Sequence, residues 1–257
     1  MGIKTELYIS QLPDKYHNLS LLETSDGVSD SVYILGDNYI LKYYEDSSSV
    51  DVDNEIALLN SLTSLSVPKV IDRFDINSKI AVIYSKIIGE SIYIPTIKNI
   101  EEIGLFLIEF HKITKDKSNS NIKLFNSIEK TESSQLLEFY KKIESLELRD
   151  DGIIHGDLFV DNAKFKDGSL CGVYDFSDAC VGDFRFDLAV VAISWCYDKD
   201  SINIKKVKTL LKSYKSQLSF SQFKLYIYYA LLYYATTRYI HNREYRELIY
   251  RLEDFKW

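Results

Sequence analysis

The sequence has few of the residues that mark disulfide-bonded, fibrous or linker-rich proteins. It contains three cysteines, three prolines and ten glycines in 257 residues. An odd number of cysteines without a C-x-x-C spacing predicts neither a disulfide framework nor a zinc knuckle, and it favours a reducing compartment. The low proline and glycine content excludes collagen-like chains and argues against disorder. We therefore expect one large globular domain or two modest ones.

Long apolar runs and an excess of basic charge are also absent from the sequence. The longest uncharged apolar run, residues 225–235, is much shorter than the roughly 18 residues that span a bilayer. The first residues lack the basic region and apolar stretch of a signal peptide. A net charge of -7, from 31 basic and 38 acidic residues, disfavours nucleic acid and anionic lipid as partners. These features predict a cytoplasmic protein with no membrane or nucleic-acid partner, and they leave its oligomeric state open.

Hydrophobic patterning predicts an α+β protein in two lobes. Four segments rich in β-branched and aromatic residues are predicted strands of an antiparallel sheet of about five strands: 31–35, 39–44, 69–74 and 79–84. A helix over residues 53–65, capped by Asp51 or Asp53, is predicted to pack on this sheet. Helical periodicity dominates from residue 99 onward. We therefore predict a small N-terminal lobe, residues 1–84, built on the sheet, and a larger, mainly helical C-terminal lobe, residues 85–257.

One constellation of residues carries the chemistry of phosphoryl transfer. Residues 154–162 read I-H-G-D-L-F-V-D-N, and Asp175-Phe176 follows thirteen residues after Asn162, which matches the H-x-D-L-x-x-x-N loop and D-F motif of kinases. Asp157 suits the role of catalytic base for the attacking hydroxyl. Asn162 and Asp175 supply hard oxygen ligands that suit Mg²⁺. The alternative is that these carboxylates are ordinary loop residues, and His155 is interpreted as bracing the loop.

The first lobe is predicted to supply the contacts to ATP. Strand alternation places Lys42 on the face opposite Leu41, and helical spacing places Glu55 on the inward side of its helix, so the two side chains could form the ion pair that orients a lysine toward phosphates. Ser29 and Ser31 lie in a segment, residues 26–31, where a phosphate-covering loop is expected, although it contains one glycine only. The alternative is that none of these residues binds a nucleotide. Lys42 would then be a lysine at a strand edge, Glu55 a first-turn glutamate favoured only by the helix dipole, and residues 26–31 a simple turn.

These motifs resemble the aminoglycoside phosphotransferase and choline kinase superfamily, whose fold is that of a two-lobed protein kinase. Within it, the stretch from His155 to Cys196 is most similar to the kinase-fold homoserine kinases, on account of the Ala179-Cys180 and Trp195-Cys196 pairs. The resemblance implies dependence on ATP and Mg²⁺, and it implies that Asp187 braces the catalytic loop. The chain departs from the homoserine kinase pattern at Gly156, where Ala is usual, at Val160, and at Ile193-Ser194.

The substrate is expected to be a small metabolite with a hydroxyl group. Only eleven residues separate Asp175 from Asp187, which leaves no room for the long activation segment of a protein kinase. L-homoserine is the best single candidate; aminoglycosides, choline or ethanolamine are alternatives, as is a non-catalytic nucleotide-binding scaffold. An amino-acid acceptor needs partners for its ammonium and carboxylate groups. The candidates for the ammonium are Asp178 and Asp183, and those for the carboxylate are Arg185 and Arg238.

Overall fold

The computed structural model describes residues 3–24, 29–117, 131–199 and 201–256. These residues form two compact units. The first unit comprises the chain up to Ile88 together with Gly172–Ser177, and the second comprises the remainder. None of the helices within the described ranges combines the length and apolar content that crossing a membrane requires.

A five-stranded antiparallel sheet forms most of the first unit. Its strands are β1 (Leu21–Glu23), β2 (Ser31–Leu35), β3 (Tyr39–Tyr43), β4 (Val70–Ile76) and β5 (Lys79–Ser85). They lie in the order β1-β2-β3-β5-β4. Alternate side chains of β2 and β3, among them Tyr33, Leu35 and Leu41, are buried in one core. The four predicted strands are therefore present, and Gly36 turns the hairpin between β2 and β3 with a φ of 57°.

Helix α1 (Ser49–Ser61) begins earlier than the sequence predicts. Its N-cap is Ser48 rather than Asp51 or Asp53: the Ser48 hydroxyl accepts the Asp51 N–H at 3.2 Å, and the Asp51 carboxylate accepts the Ser48 N–H at 3.3 Å. This reciprocal capping box satisfies two amides that would otherwise lack partners, so the helix starts at that serine. The buried face of α1 includes Glu55, as its spacing predicts.

The second unit is mainly helical. Its helices are α2 (Ile97–Thr114), α3 (Ser134–Lys141), α4 (Phe184–Trp195), α5 (Ile204–Ser213), α6 (Phe220–Ile240) and α7 (Arg246–Glu253). Helix α4 is buried along almost its whole length and packs against α6, while α2 packs against α5. Nine of its twelve residues are buried, so α4 lies at the centre of this unit.

Short strands lie in the segments that connect these helices. They are β6 (Gly152–Ile154), β7 (Ala163–Lys166), β8 (Ser169–Val173), β9 (Cys180–Gly182), β10 (Tyr197–Asp198) and β11 (Ser201–Ile202). β6 pairs antiparallel with β9, and β7 pairs with β8. Asp167 and Gly168 turn the β7–β8 hairpin with φ values of 53° and 76°, a backbone conformation that both residue types tolerate. Residues 155–162 therefore leave β6 and enter β7.

Candidate functional site

Three carboxylates surround the Lys42 ammonium in the first unit. The Nζ atom lies 3.1 Å from Asp175 Oδ1, 3.6 Å from Asp30 Oδ2 and 3.9 Å from Glu55 Oε2. It also contacts the Ser177 hydroxyl. The predicted partner Glu55 is thus within ion-pair distance, but Asp175 is nearer. Strand β3 positions the lysine because its neighbours Leu41 and Tyr43 point into the core on the opposite face.

These charges set the protonation of the cluster. Burial alone would lower the pKa of Lys42, but the negative charges of Glu55, Asp175 and Asp30 raise it above its ordinary value. Burial raises the pKa of Glu55, and the positive charge of Lys42 opposes this effect. The Tyr44 hydroxyl donates to Glu55 Oε2 at 2.9 Å and fixes the carboxylate. Lys42 is therefore a permanent cation on a restrained support, as a phosphate-binding lysine must be.

The two predicted phosphate-loop serines differ in environment. The Ser31 hydroxyl is fully buried, donates to Glu45 Oε1 at 2.6 Å and accepts the Lys4 N–H at 2.9 Å. Ser29 is exposed, and its carbonyl accepts from the Lys4 side chain at 2.8 Å. Residues 26–28 of the same predicted loop lie outside the described residues. The hydroxyl of Ser31 is thus engaged within the unit, which leaves Ser29 as the serine candidate for a nucleotide.

Asp187 anchors the start of the predicted catalytic loop in the second unit. Its fully buried carboxylate accepts the backbone N–H groups of His155 and Gly156 at 2.9 and 3.0 Å, and it lies 2.9 Å from His111 Nε2. Burial alone would raise the pKa of Asp187, but these hydrogen bonds and the nearby imidazoles hold it below its ordinary value. The carboxylate therefore stays charged and ties α4 to the residues just before Asp157.

Further hydrogen bonds hold the rest of the loop. The Asn162 side-chain nitrogen donates to the Asp157 carbonyl at 2.7 Å. The Trp195 indole donates to the Leu158 carbonyl at 2.9 Å. His155 is fully buried, and its Nδ1 lies 3.3 Å from the Asp157 N–H, which fits the interpretation of this histidine as a brace. The backbone that carries Asp157 is therefore restrained on both sides of that residue.

Asn162 and Asp175 each present an oxygen that suits Mg²⁺. Since the Asn162 nitrogen is committed to the Asp157 carbonyl, its amide oxygen faces away from that bond. The Asp175 side chain is 48% exposed, and the residue has a φ of 64°, a conformation that Asp tolerates better than most residues. The described residues contain no cluster of three or more His, Cys, Asp or Glu side chains placed to hold a metal. The donor set fits an ion that takes few protein ligands and keeps several waters.

The four acceptor candidates fall into two pairs. The fully buried carboxylate of Asp183 caps α4 and accepts from Arg185 Nε at 2.7 Å, and the Arg185 guanidinium stacks over the Tyr226 ring at 4.5 Å. Both side chains are engaged within the unit. Asp178 is exposed and Arg238 is half-buried. Across the ranges that the structure describes, the Arg238 guanidinium forms no ion pair.

The structure adds residues that the sequence did not single out. Asp30 and Ser177 contact Lys42 in the first unit. His111, near the C-terminal end of α2, is buried against Asp187. The Tyr234 hydroxyl donates to the Gly156 carbonyl. Ser177 follows Asp175 by two residues, which is the only sequence signal among them; nothing in the sequence marks the others.

A protein-family model described as a phosphotransferase enzyme family matches residues 20–204 of the chain. A homoserine kinase of Bartonella tribocorum is 36% identical over 146 residues, which cover 49% of this chain and 46% of that protein. A homoserine kinase of Brucella canis is 29% identical over 224 residues, covering 75% of this chain and 68% of that protein. The match therefore spans about half the length of the first of these relatives and two thirds of the second.

Solved structures show the same fold. The GDP complex of aminoglycoside 2'-phosphotransferase-IIIa superposes with a TM-score of 0.72 at 15% identity and covers 96% of this chain and 95% of that one. The ternary complex of a related enzyme with streptomycin and ATP gives 0.65 at 20% identity, covering 95% and 92%. These likenesses confirm the predicted α+β, protein-kinase-like fold class.

Proposed function

The chain belongs to the phosphotransferase enzyme family, and from this premise we propose that it transfers the γ-phosphoryl group of ATP to a hydroxyl of a small metabolite. The observation that carries the proposal is the loop of residues 155–162. Asp187 holds its start, Asn162 holds the Asp157 carbonyl, and Asp157 lies between these attachments. A base held in this way can meet an acceptor hydroxyl without a large ordering cost.

The first unit supplies the cation for the phosphates. Lys42 is surrounded by three carboxylates, so the cluster carries more negative than positive charge before any ligand binds. Such a cluster favours the arrival of further cations and disfavours a bare nucleotide, which supports binding of ATP together with Mg²⁺. In the bound state Lys42 would exchange its contact with Asp175 for one with a phosphate oxygen, while Glu55 and Tyr44 keep the lysine oriented.

Asp175 and Asn162 would hold the magnesium ion. A bound Mg²⁺ would supply positive charge that stabilises the charge developing on the phosphoryl group. The chain's own contribution is to keep the two ligands in fixed orientations. Ser177 donates to Asp175 Oδ1 at 3.0 Å in the first unit, and the Asp157 carbonyl fixes the Asn162 amide in the second. These restraints support the assignment of both residues as ligands.

L-homoserine is the acceptor that the observations favour. Arg238 lies one helical turn after Tyr234 on α6, is half-buried, and forms no ion pair among the described residues. A half-buried guanidinium without an acidic partner suits a substrate carboxylate. Asp178, whose carbonyl lies close to Gly156, is the matching candidate for the substrate ammonium. Choline and aminoglycosides carry positive charge and no carboxylate, so they leave Arg238 without a role.

The test is a comparison of acceptors with wild type and two variants. With Mg²⁺ and ATP, we expect ADP release to depend on L-homoserine rather than on choline, ethanolamine or an aminoglycoside. Asp157→Ala should lower kcat by about 10²- to 10⁴-fold, the range for loss of a general base. Asp167→Asn, which changes an exposed carboxylate at the tip of the β7–β8 hairpin, is the matched control and should leave kcat unchanged.

The outcomes separate the alternatives. Activity on choline or an aminoglycoside alone would overturn the homoserine assignment and keep the phosphotransferase. Stabilisation by Mg²⁺ and ATP in a thermal unfolding experiment, without turnover of any acceptor, would favour the nucleotide-binding scaffold. Absence of any stabilisation at saturating nucleotide would overturn the proposal as a whole.

A further inference from the structure

The Tyr234 side chain reaches the predicted catalytic loop from helix α6. Its hydroxyl donates to the Gly156 carbonyl, and its oxygen lies 3.4 Å from Asp157 Oδ1. The Phe159 ring meets the Tyr234 ring edge to face, with the centroids 4.8 Å apart. Tyr234 therefore contacts three residues within a stretch of four, although it is 77 residues distant from Asp157 along the chain.

The bond to Gly156 acts on the peptide unit that precedes Asp157. That peptide group consists of the Gly156 carbonyl and the Asp157 N–H. Tyr234 holds the carbonyl, and His155 Nδ1 lies 3.3 Å from the N–H. The preceding peptide group is held by Asp187 through the Gly156 N–H. Both peptide groups that flank Gly156 are thus fixed by side chains from elsewhere in the unit.

Gly156 needs this restraint because of its conformation. It has a φ of 77°, a region that glycine enters readily, and a glycine backbone has more rotational freedom than that of any other residue. Without external contacts the peptide group after it could rotate. Such a rotation would redirect the Asp157 side chain, and displacing a catalytic group by about 1 Å costs up to about 10²-fold in rate.

The Tyr234 hydroxyl is suited to a fixed role as donor. Burial, followed by the negative charge of Asp157, raises the pKa of Tyr234 well above its ordinary value. The phenol therefore keeps its proton, and its single O–H can be donated to only one acceptor at a time. The Gly156 carbonyl is the nearer acceptor. The hydroxyl thus fixes the loop through the backbone carbonyl of Gly156.

We propose that Tyr234 is a positioning residue for the phosphoryl transfer: its hydroxyl fixes the peptide group between Gly156 and Asp157 and so sets the direction of the Asp157 carboxylate. This inference rests on the proposed function for its effect on rate, but the restraint itself can be measured without turnover. It predicts that a residue on α6 controls kcat through the backbone of the loop.

The experiment compares Tyr234→Phe with Tyr239→Phe, a matched loss of a hydroxyl five residues further along α6. In Tyr234→Phe we expect kcat to fall by about 10- to 100-fold while the KM values for ATP and acceptor change by less than about twofold. Amide hydrogen exchange at Asp157 should become about 5- to 10-fold faster, consistent with loss of one hydrogen bond that limits local opening. Tyr239→Phe should change neither quantity.

A chemical rescue distinguishes positioning from general support of the fold. Replacing Tyr234 by 4-aminophenylalanine keeps a donor at the same place on the ring, and we expect it to restore kcat to within about threefold of wild type. The inference is overturned if Tyr234→Phe keeps the wild-type kcat, if the amino group fails to rescue it, or if exchange at Asp157 is unchanged. A wild-type protein without turnover would instead refute the proposed function, and the exchange measurement would still decide whether Tyr234 restrains the loop.

Discussion

The substitution Asp187→Asn tests how strongly the buried carboxylate holds the loop of residues 155–162. The side chain accepts from the backbone N–H groups of His155 and Gly156 and contacts His111, and it is fully buried. Asn has almost the same shape as Asp, so the change creates no cavity. It replaces one acceptor oxygen by an NH₂ donor, which must then face a donor of the loop.

The cost follows from the three contacts. In the better orientation of the amide only the Gly156 N–H loses its acceptor, and a buried unsatisfied donor costs about 1–3 kcal/mol. The hydrogen bonds with the His155 N–H and with His111 remain, but they no longer involve a charged acceptor. The contribution of each to stability therefore falls from about 1.5–3 to about 0.5–1.5 kcal/mol. We therefore expect the free energy of unfolding to drop by about 3–6 kcal/mol, a large part of the roughly 5–15 kcal/mol of a typical protein.

The effect should also depend on pH. The folded protein holds the pKa of Asp187 below its ordinary value, whereas the unfolded chain has a value of about 3.9. A depressed carboxyl pKa stabilises the fold above the unfolded value, and this contribution is lost as pH falls through the folded value. The difference between wild type and Asp187→Asn should therefore be constant above about pH 5 and should shrink below about pH 4.

Urea unfolding followed by circular dichroism at several pH values measures this difference. Asp53→Asn is the control, because that carboxylate is 58% exposed and its ion pair with Arg73 is expected to contribute about 0–1 kcal/mol. A loss below about 1 kcal/mol for Asp187→Asn at neutral pH, or one that persists undiminished at pH values well below the folded pKa of Asp187, would refute the account of this carboxylate as a charged anchor.

Two further predictions concern neighbouring features. Gly156→Ala places a Cβ 2.7 Å from the Asp178 backbone oxygen at a φ of 77°, whereas the Cβ of Gly168→Ala, at a φ of 76°, meets only the flexible Lys98 side chain at 3.0 Å. We expect both substitutions to lower the urea midpoint, because each adds about 1–2 kcal/mol of backbone strain. Only Gly156→Ala should lower the midpoint further and reduce kcat, because only its Cβ collides with backbone. Asp183→Asn should lower the stability of the fold without changing the KM for the acceptor by more than about twofold, because the Asp183 carboxylate binds Arg185 and caps α4. A large rise in that KM would instead indicate that Asp183 binds the acceptor.

The sequence predicts those parts of the site that depend on local order. Strand alternation places Lys42 on the face away from Leu41, and helical spacing places Glu55 on the buried side of α1, where the structure also has them. The turn at Asp167 and Gly168 follows from their shared tolerance of positive φ. In each case the decisive information lies within a few residues of the position concerned.

The remainder depends on contacts between distant segments. Helix α6 contains tyrosines at several positions, and nothing in their order distinguishes the hydroxyl that meets a loop 77 residues away. Asp30 near Lys42 is equally unmarked, because it reads as a turn residue before β2. The sequence misplaces the start of α1 for a simpler reason: Ser48 and Asp51 together form a better cap than either Asp51 or Asp53 alone.

The restraint on Gly156 has a consequence for how the loop is controlled. Its N–H is held from α4 by Asp187 and its carbonyl from α6 by Tyr234, and these two helices pack against each other. The Phe186 ring of α4 lies edge to face against Tyr233 of α6 at 5.2 Å, directly beside both attachments in sequence. The orientation of Asp157 is therefore set by the packing of two helices that lie outside its motif. Substitutions in this apolar interface can change the rate without contacting any ligand, because they move the two points from which the loop is held.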